Sequence, residues 1–234
     1  MTSNLQSIAV ITALLAAAPA IAAPAIADRA HPTVVELYQS QGCSSCPPAL
    51  KNIAAIADRP DVLALTFAVT YWDQLGWKDS FASPAYTQRQ WDYAKGLHHD
   101  QVWTPQVVVD GRHDVVGVKA SEIDALLVTA ARPHAPALTL AVGSVAVGAG
   151  LSPAGGADIW LVRYDPRIVQ VAIKAGENGG RTLGHRNVVR QLVRLGRWNG
   201  SAATLALAAA PAGLATAVLV QTPGGGPILA AVRG

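Results

Sequence analysis

The chain contains two cysteines, Cys43 and Cys46, and two serines lie between them. A thiolate is the nucleophile in disulfide exchange and a ligand of soft metal ions, so this C-x-x-C pair predicts redox chemistry or metal binding. A disulfide between the two would close a very short loop, which restrains the unfolded chain less than a long one does. A chemical role is therefore favoured over a structural one.

Both cysteines are predicted to lie at a strand-to-helix junction. Thr33 to Ser40 is apolar and β-branched, as in a strand, whereas Pro47-Pro48 fit the first turn of a helix and residues 49–57 have helical apolar spacing. Free N–H groups and the macrodipole at a helix start favour a thiolate. We expect Cys43 to be the exposed attacking thiol, and Cys46, less exposed, to resolve the mixed disulfide.

A second feature is Thr104-Pro105, which directly precedes a predicted strand at Gln106–Val109. X-Pro bonds adopt the cis form far more readily than other peptide bonds. We predict a cis bond here, beside the cysteines, where the backbone of Thr104 pairs with a bound substrate strand. An ordinary trans-proline at a strand start is the alternative. The predicted catalytic residues are therefore Cys43, Cys46, Thr104 and Pro105.

Other uses of the cysteines stay open, namely zinc binding, copper(I) binding and an inert surface disulfide. Structural zinc needs four ligands, and His98, His99 and His113 lack the usual H-x₃₋₅-H spacing. Copper(I) prefers soft thiolates. We predict no bound metal and no cofactor. Glu36, in the strand that leads to the cysteines, is a candidate proton acceptor, and a glutamate that faces solvent or pairs with lysine is the alternative.

The elements that position these residues alternate between strand and helix in the first half of the chain. After the first strand and helix we predict a buried strand at Val62–Thr70 and a polar helix at Ser83–Leu97. A hairpin of two strands, Gln106–Val109 and Asp114–Val118, and a last helix at Glu122–Ala131 are predicted to follow. The order β-α-β-α-β-β-α is that of the thioredoxin fold.

Beyond a proline-rich segment the pattern changes to six or seven short alternating runs separated by glycine-rich turns, which predicts an antiparallel sandwich or barrel. The predicted fold class is therefore an α/β thioredoxin-like domain followed by a β-rich, sandwich- or barrel-like domain. The predicted boundaries are 33–131 for the first domain, 132–137 for a linker and 138–234 for the all-β domain.

Residues 1–27 are predicted to be a signal peptide, because an apolar run at Ile8–Ile21 precedes small residues typical of a cleavage site. No Lys or Arg lies before Asp28, and a membrane anchor is the alternative. Export to the periplasm or beyond follows, without stable membrane insertion after removal of this peptide. A net charge of +3, without a basic run in the first 180 residues, argues against a nucleic-acid partner.

Four segments, VVELYQSQGCSSCPPA, YWDQLGWKDSFASP, TPQVVVDG and GENGGRTLGHRNVV, resemble in the same order a bacterial family of exported thioredoxin-like proteins, domain-of-unknown-function family 1223. The resemblance extends from Thr33 to Trp198. It implies a thioredoxin-like domain before a β-rich one, with Cys43, Cys46 and Pro105 as site positions, but it implies no substrate. The uncharged N-terminus departs from the family's pattern.

These observations predict a thiol–disulfide oxidoreductase of the cell envelope whose partners are protein thiols or disulfides. A non-catalytic thioredoxin-like binding module, with the β-rich half as its interaction surface, is one alternative. A copper(I)-handling protein that uses the same cysteines is another. The direction of electron transfer and the oligomeric state are not specified by the residues.

Overall fold

The computed structural model of the protein describes residues 27–130 and 135–234. The predicted signal peptide therefore lies outside the described residues except for Ala27, and so do residues 132–134 of the predicted linker. Within the described ranges, none of the helices combines the length and the apolar character needed to cross a bilayer.

The first half of the chain alternates strands and helices in the predicted order. Its elements are β1 (Thr33–Gln39), α1 (Pro47–Ile56), β2 (Val62–Ala68), α2 (Pro84–Gly96), β3 (Gln106–Val109), β4 (His113–Val115) and α3 (Ala120–Thr129). Local signals explain the helix starts, since Pro47 and Pro48 occupy the first turn of α1. Ser83 caps α2 by accepting a hydrogen bond from the Ala85 N–H at 3.3 Å.

The second half consists of strands. They are β5 (Leu138–Ala141), β6 (Ser144–Val147), β7 (Ala157–Asp165), β8 (Val169–Ala172), β9 (Thr182–His185), β10 (Val188–Trp198), β11 (Ala203–Ala206), β12 (Ala215–Gln221) and β13 (Ile228–Arg233). Within the described residues there are three sheets: a large one in the order β13-β12-β7-β10-β2-β1-β3-β4, a three-stranded one in the order β11-β6-β5, and the separate pair β8-β9.

The predicted fold class, an α/β thioredoxin-like domain followed by a β-rich domain, is wrong. Strands of both halves form one mixed eight-stranded sheet, and three short helices accompany it within the described ranges. The physical reason lies at the edge of β2, where unpaired N–H and C=O groups need partners. The Thr66 N–H donates to the Asn187 carbonyl at 2.9 Å and the Thr66 hydroxyl donates to the Arg186 carbonyl at 2.7 Å. Val188, the first residue of β10, then pairs with Thr66 in parallel register.

The alternation of side chains along β1 gives the sheet two different faces. Val35 and Leu37 pack against the buried face of α1 and against Ile123 of α3. Val34 and Tyr38 face the other way and join a core with α2 and with residues of the second half, including Val162, Leu219 and Ile228. The two halves therefore share a core as well as a sheet.

Candidate functional site

The two cysteines lie between the end of β1 and the first turn of α1. They form a disulfide with a Cα–Cα distance of 5.5 Å, and Cys46 occupies the N-cap of α1. A turn brings them together, because the Cys43 N–H donates to the Ser40 carbonyl at 3.1 Å and the Cys46 N–H donates to the Cys43 carbonyl at 3.2 Å. The Ser45 hydroxyl lies 3.3 Å from the Cys43 sulfur.

The prediction that Cys43 is exposed is wrong. Both cysteines have 0% exposed surface, whereas Ser44 and Ser45 between them are exposed. The reason is a turn from the second half of the chain, residues 176–179, which packs over this loop. Asn178 is fully buried there, and its side-chain amide donates to the Gln41 carbonyl at 2.9 Å and to the Cys43 carbonyl at 2.8 Å.

Thr104 and Pro105 lie beside the cysteines, as predicted, and the peptide bond that joins them is cis. The Ser45 hydroxyl donates to the Thr104 carbonyl at 3.4 Å, which connects the C-x-x-C loop to this segment. The indole N–H of Trp72 donates to the Thr104 hydroxyl at 2.8 Å. β3 begins at the next residue and runs antiparallel to β1, which explains how the two segments meet.

A network of polar side chains supports the segment around Thr104 from behind. The Gln90 amide donates to the Trp103 carbonyl at 2.7 Å and to Gln106 Oε1 at 2.9 Å. Gln106 in turn donates to the Asp114 carboxylate at 2.8 Å, and His99 Nε2 lies 3.0 Å from the same carboxylate. These contacts place the predicted zinc candidate His99 in a pair with Asp114. No group of three or more His, Cys, Asp or Glu side chains in the described part of the chain is arranged to hold a metal ion.

A second set of contacts fixes the backbone just before Cys43. The Gln41 N–H donates to the Asp79 carboxylate at 2.7 Å, and the Phe81 N–H donates to its other oxygen at 2.8 Å. Trp77 donates its indole N–H to Gln41 Oε1 at 2.9 Å. Burial raises the pKa of Asp79 to about 6, although these backbone N–H groups oppose the rise.

Glu36, the candidate proton acceptor, is a paired carboxylate and not a free one. It is fully buried, and Arg89 donates to its two oxygens at 2.9 and 3.2 Å. Tyr93 also donates a hydrogen bond to it. Glu36 shares the sheet face of Val34 and Tyr38, because side chains alternate along β1, and this face is opposite to α1. Its partner is an arginine of α2, neither solvent nor a lysine.

Three site residues were missed by reasoning from the sequence: Gln41, Glu177 and Asn178. Gln41 resembles any polar residue in a turn, and no local pattern relates Asn178 to a cysteine 135 residues earlier in the chain. The available signal was the GENGG segment, in which an acidic and an amide side chain stand between glycines. Such a composition predicts a tight turn but does not indicate what the turn contacts.

Comparison with known proteins gives a family and a fold. The family described as "Protein of unknown function (DUF1223)" matches residues 34–221, in agreement with the resemblance noted in the sequence. A crystal structure of a protein from Agrobacterium tumefaciens is 32% identical, covers 86% of this chain and 92% of its own, and superposes with a TM-score of 0.71. HBP35 of Porphyromonas gingivalis is similar in fold alone, with 12% identity over 87% of this chain and 74% of its own and a TM-score of 0.59. A comparison with curated proteins found no match.

Proposed function

This chain belongs to the DUF1223 family, whose function is unknown, and we propose that it is a thiol–disulfide oxidoreductase of the cell envelope. Cys43 is the attacking thiol and Cys46 is the resolving thiol. Thr104 and Pro105 seat the partner chain. The partners are proteins that carry thiols or disulfides.

One observation carries this proposal: the two cysteines of the chain are joined to each other at the start of α1, next to Thr104. A disulfide across so short a loop adds less stability than one that joins distant segments. A redox role therefore explains the pairing of the two cysteines better than stabilisation does, and the neighbouring Thr104 backbone is the proposed seat for a partner chain.

The proposed exchange conserves atoms and electrons. In the reduced protein, the Cys43 thiolate attacks one sulfur of a partner disulfide, and the partner's other sulfur leaves as a thiolate. The Cys46 thiolate then attacks the Cys43 sulfur, which re-forms the internal disulfide and releases the partner's second thiolate. Two electrons pass to the partner, and the reverse sequence oxidises a partner dithiol.

Local hydrogen bonding supports Cys43 as the attacking thiol. Pro47 and Pro48 contribute no N–H groups to the start of α1, so side-chain donors gain importance there. The Ser45 hydroxyl lies 3.3 Å from the Cys43 sulfur, and on reduction it can turn its one proton from the Thr104 carbonyl to the new thiolate. Replacement of Ser45 by alanine is expected to raise the pKa of the Cys43 thiol.

The test replaces each cysteine in turn. We expect Cys43→Ser to abolish exchange with a disulfide-bonded protein substrate, and Cys46→Ser to accumulate a mixed disulfide visible on a non-reducing gel. The double variant Cys43→Ser/Cys46→Ser is the background control. We also expect a reduction potential between about −120 and −270 mV. Full exchange activity in Cys43→Ser would refute the proposal.

The complete burial of both cysteines favours a second candidate, a binding module in which the disulfide is structural. This candidate predicts a potential below about −300 mV and a thiol that reacts slowly even after reduction. Copper(I) handling predicts retention of the metal at one equivalent, lost when either cysteine is replaced. Rapid exchange at an intermediate potential would exclude a structural disulfide, and failure to retain copper(I) would exclude copper handling.

Residence in the cell envelope is part of the proposal, because a stable disulfide requires an oxidising compartment. The segment on which export depends lies within residues 1–27. Fractionation of cells that express the full chain, with and without residues 1–27, tests it. Protein in the periplasmic fraction only when the segment is present is the expected result.

A further inference from the structure

The turn at residues 176–179, here named the strap, connects the C-x-x-C loop to the second half of the chain. It lies at the tip of the hairpin formed by β8 and β9. Asn178 is fully buried in it and donates hydrogen bonds to the carbonyls of Gln41 and Cys43. The Arg181 guanidinium donates to the side-chain oxygen Oδ1 of Asn178 at 2.7 Å, which orients the side-chain amide so that its NH₂ group faces the cysteine loop.

The neighbouring residue of the strap, Glu177, contacts the exposed part of the same loop. One of its carboxylate oxygens accepts from the Ser44 N–H at 3.1 Å and from the Ser44 hydroxyl at 2.7 Å. These two hydrogen bonds lower the pKa of Glu177, so the carboxylate is ionised at neutral pH. The negative charge of Glu177 therefore lies against Ser44, the residue next to Cys43. The sulfur of Cys43 would become a thiolate on reduction.

The hairpin is anchored at its base and exposed at its tip. Leu183 and His185 of β9 are buried, whereas Gly176, Glu177, Gly179 and Gly180 are exposed. β8 and β9 pair with each other in a sheet separate from the large one. A tip held by a few hydrogen bonds opens at lower free energy than a buried core strand does. The strap is thus the part of the covering structure that can leave the cysteines most easily.

We infer that Glu177 and Asn178 are positioning residues of the exchange site, and that the strap they form must release Cys43 and Ser44 before a partner sulfur reaches the disulfide. This inference rests on the proposed function for its physiological meaning. Its physical content is independent, because the strap controls access of any thiol to the Cys43–Cys46 disulfide.

The test is the rate at which dithiothreitol reduces the disulfide of the folded protein, followed by rapid alkylation and mass spectrometry. If the strap must open before dithiothreitol reaches the disulfide, the rate of reduction is proportional to the equilibrium constant for opening of the strap. Loss of the two hydrogen bonds from Asn178 in Asn178→Ala is expected to raise the rate about tenfold. Glu177→Gln, which weakens the contacts to Ser44 and removes the charge, is expected to raise it about threefold.

Two matched variants separate access from general loss of stability. Asn52→Ala removes an amide that donates to the Gly117 carbonyl at 2.9 Å, and Glu122→Gln removes a partly exposed carboxylate that pairs with Lys119. Both are expected to stay within twofold of the original rate. Because Glu177 is exposed, Glu177→Ala decides the question if Asn178→Ala does not fold.

The inference is overturned if the strap variants react within twofold of the original protein, or if the control variants accelerate equally. Failure of the proposed function gives a different result. If dithiothreitol reduces the strap variants faster but the protein exchanges disulfides with no protein partner, the role of the strap is supported and the oxidoreductase is refuted. Rapid exchange with a partner that the strap variants do not alter refutes the strap alone.

Discussion

The buried pair of Glu36 and Arg89 allows one substitution to test a structural and a catalytic interpretation together. Both side chains are buried, and three hydrogen bonds reach the carboxylate, two from Arg89 and one from Tyr93. Gln221 of β12 donates to the Tyr93 hydroxyl at 3.0 Å. The network therefore joins β1, α2 and a strand of the second half.

Glu36→Gln keeps the shape of the side chain but removes its charge and turns an NH₂ group toward donors. Arg89 is then a buried cation without its counter-ion, and breaking such a pair costs about 3–5 kcal/mol. Glu36→Leu/Arg89→Met removes both charges, leaving mainly the proton of the Tyr93 hydroxyl without an acceptor, and is expected to cost about 1–3 kcal/mol. With Arg89→Met alone and Glu36→Leu alone, the cycle is expected to give a coupling energy of at least about 3 kcal/mol.

The assay is urea unfolding at pH 7 followed by tryptophan fluorescence, with the disulfide intact in every variant. Differences in unfolding free energy are calculated from the shifts of the urea midpoint, with one slope of free energy against urea concentration used for all variants. A cost below about 1 kcal/mol for Glu36→Gln, or a double variant that costs as much as the two single variants added together, would contradict the buried pair. Exchange activity of the folded Glu36→Gln protein is expected within twofold of the original. A large loss of exchange at unchanged stability would instead restore Glu36 as a proton acceptor.

The remaining predictions concern the site. Because the folded pKa of Asp79 is raised to about 6, above its unfolded value, ionisation disfavours the fold, and stability contributed by the protonated form is lost as pH rises from about 4 through 6. The difference in urea stability between the original protein and Asp79→Asn should therefore change by roughly 2–3 kcal/mol between pH 4 and pH 7. Trp72→Phe, which removes the indole N–H that donates to the Thr104 hydroxyl, should cost about 1 kcal/mol of stability and slow exchange with a protein more than reduction by dithiothreitol. Reduction of the disulfide should lower the unfolding free energy by about 2 kcal/mol, against nearly 5 kcal/mol for a loop of about 100 residues.

Much of the first half of the fold was predictable because its signals are local. The β-branched run from Thr33, the prolines at the start of α1 and the Ser83 cap each specify the conformation of their own neighbourhood. The position of Thr104-Pro105 beside the cysteines followed from the same order of elements. Burial along β2 was also predictable, since all seven of its residues are apolar or β-branched and all are buried.

The partner on the free edge of β2 was not predictable in this way. Edge pairing is made by backbone groups, which every residue carries, so side-chain patterns do not indicate which strand will bind. The contact with β10 consists of a single residue pair, Thr66 with Val188, supported by the carbonyls of Arg186 and Asn187. No periodicity in either segment marks these residues as neighbours.

The wrong fold class and the wrong exposure of Cys43 have the same cause. The hairpin of β8 and β9 immediately precedes β10, so the pairing of Val188 with Thr66 also brings that hairpin against the first half of the chain. Its buried base holds His185 against Phe81, with ring centroids 5.5 Å apart, and its tip delivers Asn178 to the Cys43 carbonyl. A first half expected to stand as an independent domain leaves Cys43 open to solvent. Once β10 extends the sheet, the second half completes the site, and removal of residues 138–234 should therefore expose the disulfide as well as the edge of β2.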